Sequence, residues 1–275
     1  MQQSCHRIRT LWLTSASDGP DAMVDTEQWL MAAQQRLTEA AAAQTVVVTD
    51  SQRIVSLAIG MGLPCIGIEA GADRLSAPFI FEDPGQIDEA AVEMAYCRFH
   101  GLPLIIAQTA RLRIREMTEA DIGLALEWAA EAAEAFCGEV TKAHWQRQID
   151  TVYPLFGYGI WLIEVAVVQE VEKRIEEEIE KRIEKHWRPI GLVGFGTEEI
   201  PDLGFFVCQQ WRRLGMAFEA AEAAIAYMQE QGYRQLVCEI DKRNVASQRL
   251  AARLGFTRQG SAAGDDRREQ WCRKM

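Results

Sequence analysis

The chain has 275 residues, 48% of them apolar, enough for one large or two ordinary domains with a buried core. Its net charge of −11, from 29 basic and 40 acidic side chains, argues against a general nucleic-acid-binding face and against attraction to an anionic membrane surface. Seven scattered cysteines with no C-x-x-C pair read as reduced thiols of a cytoplasmic protein, not as a disulfide framework or a metal site. After Arg7 and Arg9 only Leu11-Trp12-Leu13 is apolar, too short for a signal-peptide core, and no segment approaches the length of a membrane span.

Residues 1–108 predict a small α/β domain. An Ala-rich helix, Thr26 to Ala43, precedes the β-branched strand Thr45–Thr49. Asp50 or Ser51 is placed to cap the next helix, which runs toward Gly60. Leu63–Ile68 and Pro78–Phe81 read as further strands and Ile87–Phe99 as a helix. Short apolar strands alternating with helices favour a parallel sheet. This half resembles part of a haloacid-dehalogenase-like or Rossmann-like domain. The resemblance carries no activity, because the Asp-x-Asp pair of the dehalogenase-like phosphatases is here Asp50-Ser51-Gln52. A non-catalytic domain is the expectation, and a phosphatase would need a second carboxylate beside Asp50 in space.

A linker punctuated by Gly101 and Pro103 leads, with Leu104-Ile105-Ile106 as a short strand, into a second domain, 109–275. Leu112-Arg113-Ile114-Arg115 alternates as a first strand, and Thr118-Glu119-Ala120-Asp121 is a capping-box pattern for a helix. Gly159–Val165 and Ile190–Phe195 read as partner strands. Between them, residues 167–188 are rich in Glu, Lys, Arg and Ile with no Gly or Pro, which predicts an inserted helical arm. Its apolar residues Val168, Val171, Ile175, Ile179, Ile183 and Trp187 are spaced 3, 4, 4, 4, 4, a stripe that drifts around a helix and sustains no heptad. Two readings stand: an arm that makes a homodimer, and a helix laid on its own domain.

The strand Asp202–Val207 runs through a turn, Arg212-Arg213-Leu214-Gly215-Met216-Ala217, into a helix, Phe218–Gln231. A small-residue turn at a helix N-terminus exposes backbone N–H groups suited to a pyrophosphate. Downstream come Asn244-Val245-Ala246-Ser247, between a strand (Gln235–Ile240) and a helix, and Leu254-Gly255-Phe256. Arg-x-x-Gly-x-Ala, Asn-x-x-Ser and Leu-Gly-Phe together resemble the acyl-coenzyme A site of the GNAT superfamily of N-acyltransferases, over about residues 111–275.

The resemblance implies acetyl-CoA as cosubstrate and an amine acceptor. It places Arg212 to Ala217 on the pyrophosphate, and Phe206, Val207 and Cys208 along the pantetheine arm. One backbone N–H there, taken as that of Phe206, polarises the thioester. Asn244 and Ser247 approach the cofactor, or Asn244 or Ser247 merely caps its helix. Many family members have Gly where this chain has Arg213, so a positive φ there would strain it. The Tyr that many members use as proton donor is here Ala251. Asp202 and Glu239 are the candidate bases, Glu198 and Glu199 are less well placed, and nothing in the sequence places His144 or His186 in the site. The alternative to catalysis is a non-catalytic CoA-binding or scaffold protein.

Overall fold

The computed structural model describes residues 8–14, 27–40, 44–69, 74–128, 141–175, 178–262 and 265–275. The chain divides into two compact units, Met1–Leu104 and Ile105–Met275.

In the first unit four parallel strands, β1 (Arg9–Leu13), β2 (Thr45–Thr49), β3 (Cys65–Ile68) and β4 (Phe79–Phe81), lie in sequence order. Helices α1 (Glu27–Ala40) and α2 (Gln52–Gly60) connect the first three. Every residue of β2 is buried, because the central strands are covered on both faces. Leu37, Ile54 and Val55 pack with Val47 on one side, while Val46, Val48 and Ile66 meet Val92 and Ala95 of α3 (Glu89–Phe99) on the other. Ser51 occupies the N-cap position of α2, but its side chain makes no cap hydrogen bond. Thr49 does the local work: its Oγ1 donates to Leu13 O at 2.7 Å and accepts from Ser51 N at 3.1 Å.

The second unit opens with β5 (Ile105–Gln108), the short strand expected in the linker, which joins the sheet that follows it. That sheet is antiparallel in the order β5, β6 (Leu112–Arg115), β7 (Ile160–Ile175), β8 (Glu178–Phe195), β9 (Leu203–Val207). Asp121 caps the backbone N–H of Thr118 at 2.8 Å, as the capping-box pattern predicts, ahead of α4 (Ile122–Glu127). Helix α5 (Lys142–Arg147) continues through a wider turn into α6 (Tyr153–Phe156). After β9 comes α7 (Met216–Glu230), then β10 (Gln235–Asp241), α8 (Val245–Arg253), β11 (Thr257–Ala262) and β12 (Asp265–Lys274). The last three strands form a separate sheet ordered β10-β12-β11. Helix α7 buries Met216, Ala220, Ala221, Ala224, Ile225 and Met228, a single face at helical spacing. Its Tyr227 meets Trp161 of β7 edge-on at 5.2 Å.

The insert at 167–188 is not a helical arm. It continues β7 and β8 as one ladder, from Ile160↔Gly194 out to Ile175↔Glu178. The alternation of charge and branched side chains that reads as helix also suits a ribbon. The segment's valines and isoleucines are β-branched, and such residues favour strands. Extending two strands already paired also avoids the broken ladder that a helix would impose.

Beneath the start of β7 lies a buried ionic network. Arg115, 8% exposed, binds Asp121 through two nitrogens (2.7 and 2.9 Å) and Glu164, 3% exposed, at 3.0 Å. Arg113 holds the second Glu164 oxygen at 2.6 Å and lies over the Trp187 ring at 4.7 Å. Burial alone would raise the Asp121 carboxyl, but bonds from Arg115 and Thr118 outweigh it and hold it below its ordinary value.

Candidate functional site: a splayed strand pair with a charged cavity

Strands β9 and β10 meet at one parallel bridge, Asp202↔Val237, where Val237 N donates to Pro201 O at 3.1 Å. Beyond it, among the described residues, β9 pairs only with β8 and β10 only with β12, so the facing edge of β9 is left open. The antiparallel ladder decides which residues use that edge. Cys208 N donates to Ile190 O at 2.9 Å, in register with Gly191↔Val207 and Leu192↔Phe206. Backbone groups alternate sides along a strand. Phe206 and Cys208 therefore point into β8, while Phe205 and Val207 present theirs to the open edge. This corrects the expectation that Phe206 supplies the free N–H and that Cys208 extends the open edge: both are used inside the sheet. Gly191 permits the close pairing, since a Cβ there would lie 2.1 Å from Phe206 O. The Phe206 ring instead packs on Trp128 at 5.6 Å and under the Arg212 guanidinium at 5.8 Å.

At the C-terminal end of β9 the chain turns over Gln209–Trp211. Arg212 Nε donates to Val207 O at 2.7 Å, closing the turn. Arg213 has φ 64° and Gly215 has φ 79°. The positive φ at Arg213 is the strain that its departure from Gly foretells. Gly215 is the N-cap of α7 and supplies no side-chain cap. Arg212, Arg213, Leu214 and Gly215 are exposed, so the N-terminus of α7 opens to solvent with its first N–H groups lacking intrahelical acceptors. Met216 is buried and Ala217 half-buried; the small side chain keeps the helix start uncrowded. The residues present fit a pyrophosphate.

Arg111, which no motif singles out, holds this turn in place. Its Nη1 donates to Leu214 O at 3.0 Å and its Nε to Glu219 Oε2 at 2.7 Å. Burial would raise the Glu219 carboxyl, yet bonds from Thr109 and Arg111 hold it below its ordinary value. In the downstream motif, Asn244 Oδ1 accepts from Ser247 N at 3.0 Å, so Asn244 is the N-cap of α8. Asn244 is exposed and Ser247 half-buried. Ala251 is 1% exposed and carries no ionisable group.

At the other end of β9, the Asp202 carboxyl sits at the fork and is pushed up to about 7. Burial is the main cause, followed by the charges of Glu239 and Glu198; the Glu239 backbone N–H and Arg268 oppose them. Its Oδ1 is buried with no hydrogen-bond partner. Glu239 stands across the bridge, as its neighbouring strand requires. Asp202 borders a cavity of about 200 Å³ that His144, Arg147 and Gln148 also line, with Glu198 on the β8–β9 connection. Burial, then Arg147, pushes the His144 imidazole below its ordinary value. Sequence reasoning left His144 unplaced and ranked Glu198 below Asp202; the fold brings both to this cavity. His186 lies instead on β8, opposite Val167 and exposed. Among the described residues no group of three or more His, Cys, Asp or Glu side chains is placed to hold a metal ion, and no helix is long and apolar enough to cross a membrane.

Residues 111–257 match the family model of the acetyltransferase (GNAT) domain. Over 61 residues the chain is 41% identical to the [ribosomal protein uS5]-alanine N-acetyltransferase of Escherichia coli K12, and equally to that of Shigella flexneri. The match spans 22% of this chain and 31% of each relative, so the chain aligns with about a third of their length. Among solved structures, an acetyltransferase from Agrobacterium tumefaciens C58 is 18% identical, over 62% of this chain and 94% of that one, with a TM-score of 0.47. A RimL ribosomal L7/L12 α-N-protein acetyltransferase in complex with coenzyme A is 19% identical, over 62% and 98%, at 0.44. The family model covers more than half of the chain, and the chain belongs to the GNAT acetyltransferase family.

Proposed function

We propose that the chain is an acetyl-CoA-dependent N-acetyltransferase that transfers the acetyl group directly to an amine, on a small molecule or a protein N-terminus. One observation carries the reading: the open edge of β9 joins an uncapped helix N-terminus at one end to a carboxyl poised near neutral pH at the other. Val207 lies five steps along the strand from Asp202, roughly 16 Å at ~3.3 Å per residue, a span that suits an extended arm. Arg212 to Ala217 hold the pyrophosphate, and the open-edge groups of Phe205 with the Val207 N–H pair with the pantetheine as a further strand does. An N–H of this edge polarises the thioester carbonyl. Asp202, with Glu239 beside it, takes a proton from the incoming ammonium. The amine nitrogen bonds to the acyl carbon as the C–S bond breaks; the second amine proton leaves to water, which in turn protonates the thiolate, because Ala251 offers no proton. Asn244 and Ser247 flank the cofactor on this reading.

A second reading, a non-catalytic CoA-binding or scaffold protein, is favoured by the buried Ala251. Calorimetric titration of acetyl-CoA into the wild type and an Arg212→Glu, Gly215→Glu variant, with thiol release over an amine panel, separates the two. Binding that the variant abolishes, together with turnover, supports the transferase. Binding without turnover on any amine supports a non-catalytic CoA-binding protein, and no binding removes the transferase and leaves a scaffold with this fold.

The first unit is taken as a haloacid-dehalogenase-like or Rossmann-like domain without catalysis. Its support is the parallel sheet together with Asp50-Ser51-Gln52 in place of an Asp-x-Asp pair. Phosphatase activity abolished by Asp50→Asn would overturn this. Cys65, Cys238 and Cys272 are free thiols, in keeping with a reducing, cytoplasmic setting. A homodimer through residues 167–188 belongs to the same proposal, since a two-stranded ribbon is marginal by itself; a monomer mass in light scattering removes it.

A further inference from the structure

The cavity beside Asp202 is charged on both walls, with opposite signs. On one wall stand His144, Arg147 and Gln148, at positions i, i+3 and i+4 of one helical run and hence on one face. On the other stand Asp202 and Glu198. Arg147 forms no ion pair among the described residues, and the buried Asp202 Oδ1 has no hydrogen-bond partner. Gln148 Oε1 accepts from Ile160 N at 3.2 Å, which fixes the amide and leaves its NH2 donors for other acceptors. Arg147 and Glu198 are exposed at the cavity mouth and Asp202 is half-buried, so a ligand carrying both charges can reach them and satisfy the buried Asp202 Oδ1. The cavity volume of about 200 Å³ lies below the ~300 Å³ at the low end of drug-sized pockets, so the ligand is small.

We infer that the acceptor is a small zwitterionic amine of the amino-acid type, its ammonium group on Asp202 and Glu198 and its carboxylate on Arg147, His144 and the Gln148 amide. The inference names the acceptor of the proposed transfer and rests on that reading. A peptide N-terminus lacks the adjacent carboxylate and leaves Arg147 unanswered. Arg147 acts here as a specificity residue, and its guanidinium selects the anionic group by a charge-assisted hydrogen bond.

The test compares L-amino acids with their carboxamides as acceptors, at fixed acetyl-CoA, by thiol release. The free acids should exceed the carboxamides in kcat/KM by at least about tenfold, and Arg147→Gln should bring that ratio toward one. The carboxamide amine is the less basic and more readily deprotonated, so a preference for the acid is not a consequence of amine reactivity. Carboxamides or short peptides turned over as well as the acids would overturn the inference in favour of a peptide N-terminus while leaving the transferase intact. If no amine is turned over, the transferase reading fails, and calorimetry of L-amino acids and carboxamides with the acetyl-CoA-loaded protein decides the cavity. Acid-selective binding weakened at least about tenfold by Arg147→Gln upholds the inference, and heats that do not distinguish the two overturn it.

Discussion

Asp202→Asn should inactivate the protein and stabilise it in one step. The substitution keeps shape and an acceptor for the Glu239 N–H but removes the charge. Asp202 is pushed from 3.8 to about 7 by burial and by Glu239 and Glu198. A carboxyl whose folded value is raised binds its proton more tightly in the folded state. Its contribution is fully present below about 4 and is lost as pH rises through about 7. At pH 8 the ionised carboxylate costs at most about 4 kcal/mol, at ~1.36 kcal/mol per unit. Water relaxing around the half-buried side chain reduces this to about 1–2 kcal/mol. Urea unfolding at pH 5 and pH 8 should therefore show the variant gaining on the wild type as pH rises. Thiol release should fall by about 10²–10⁴, the range for a lost general base. A variant that keeps its activity, or one whose stability relative to wild type does not change between the two pH values, refutes the account of Asp202.

Arg213→Gly should raise stability by about 0.5–1 kcal/mol, because release of a left-handed residue (~1–2 kcal/mol) outweighs the entropy of glycine; a lower urea midpoint would show that Arg213 is unstrained. Arg111→Ala frees Leu214 O and Glu219 and should weaken acetyl-CoA binding about tenfold by calorimetry, whereas an unchanged Kd would mean the turn holds itself. Arg115→Ala leaves Asp121 buried without its ionic partner and Glu164 held by Arg113 alone, and should cost about 3 kcal/mol in chemical denaturation; a loss under about 1 kcal/mol would show the network to be solvated. Val207→Pro removes an N–H that faces the open edge and should fold while losing acetyl-CoA binding, whereas Phe206→Pro removes one used by β8 and should unfold the sheet. Equal stability of the two proline variants would contradict the ladder assignment.

The motifs at the two helix starts were legible because each depends on local chemistry. Gly215 marks a position of positive φ, Asn244 is a side-chain cap, and both act within four residues of chain. Likewise the capping pattern at Thr118–Asp121 and the β-branched run Thr45–Thr49 carry their reasons in their own side chains. The insert at 167–188 was not legible for a definite reason. Glu, Lys, Arg and Ile serve a helix at intervals of three and four and a ribbon at intervals of two, and only its attachment to two strands already in register decides between them.

The site shows a subtler limit. The residues mark strand β9, yet the polarising N–H expected at Phe206 is one residue out of phase with the open edge. Side chains in Leu203–Val207 give no parity signal, because glycine and phenylalanines fit both faces; the bond from Cys208 N to Ile190 O sets it, from a residue 18 positions earlier in the chain. A one-residue change of phase exchanges every inward for every outward group, so chemistry carried by the backbone is less legible than chemistry carried by side chains. The cavity extends the same argument. His144, Arg147, Glu198 and Asp202 belong to no shared motif, and α5 reaches the start of β9 only through the antiparallel order of β7, β8 and β9. What the turn binds follows from a few consecutive residues, whereas what the cavity selects depends on how distant segments meet. Cofactor identity was therefore readable before the fold, and acceptor identity becomes arguable only after it.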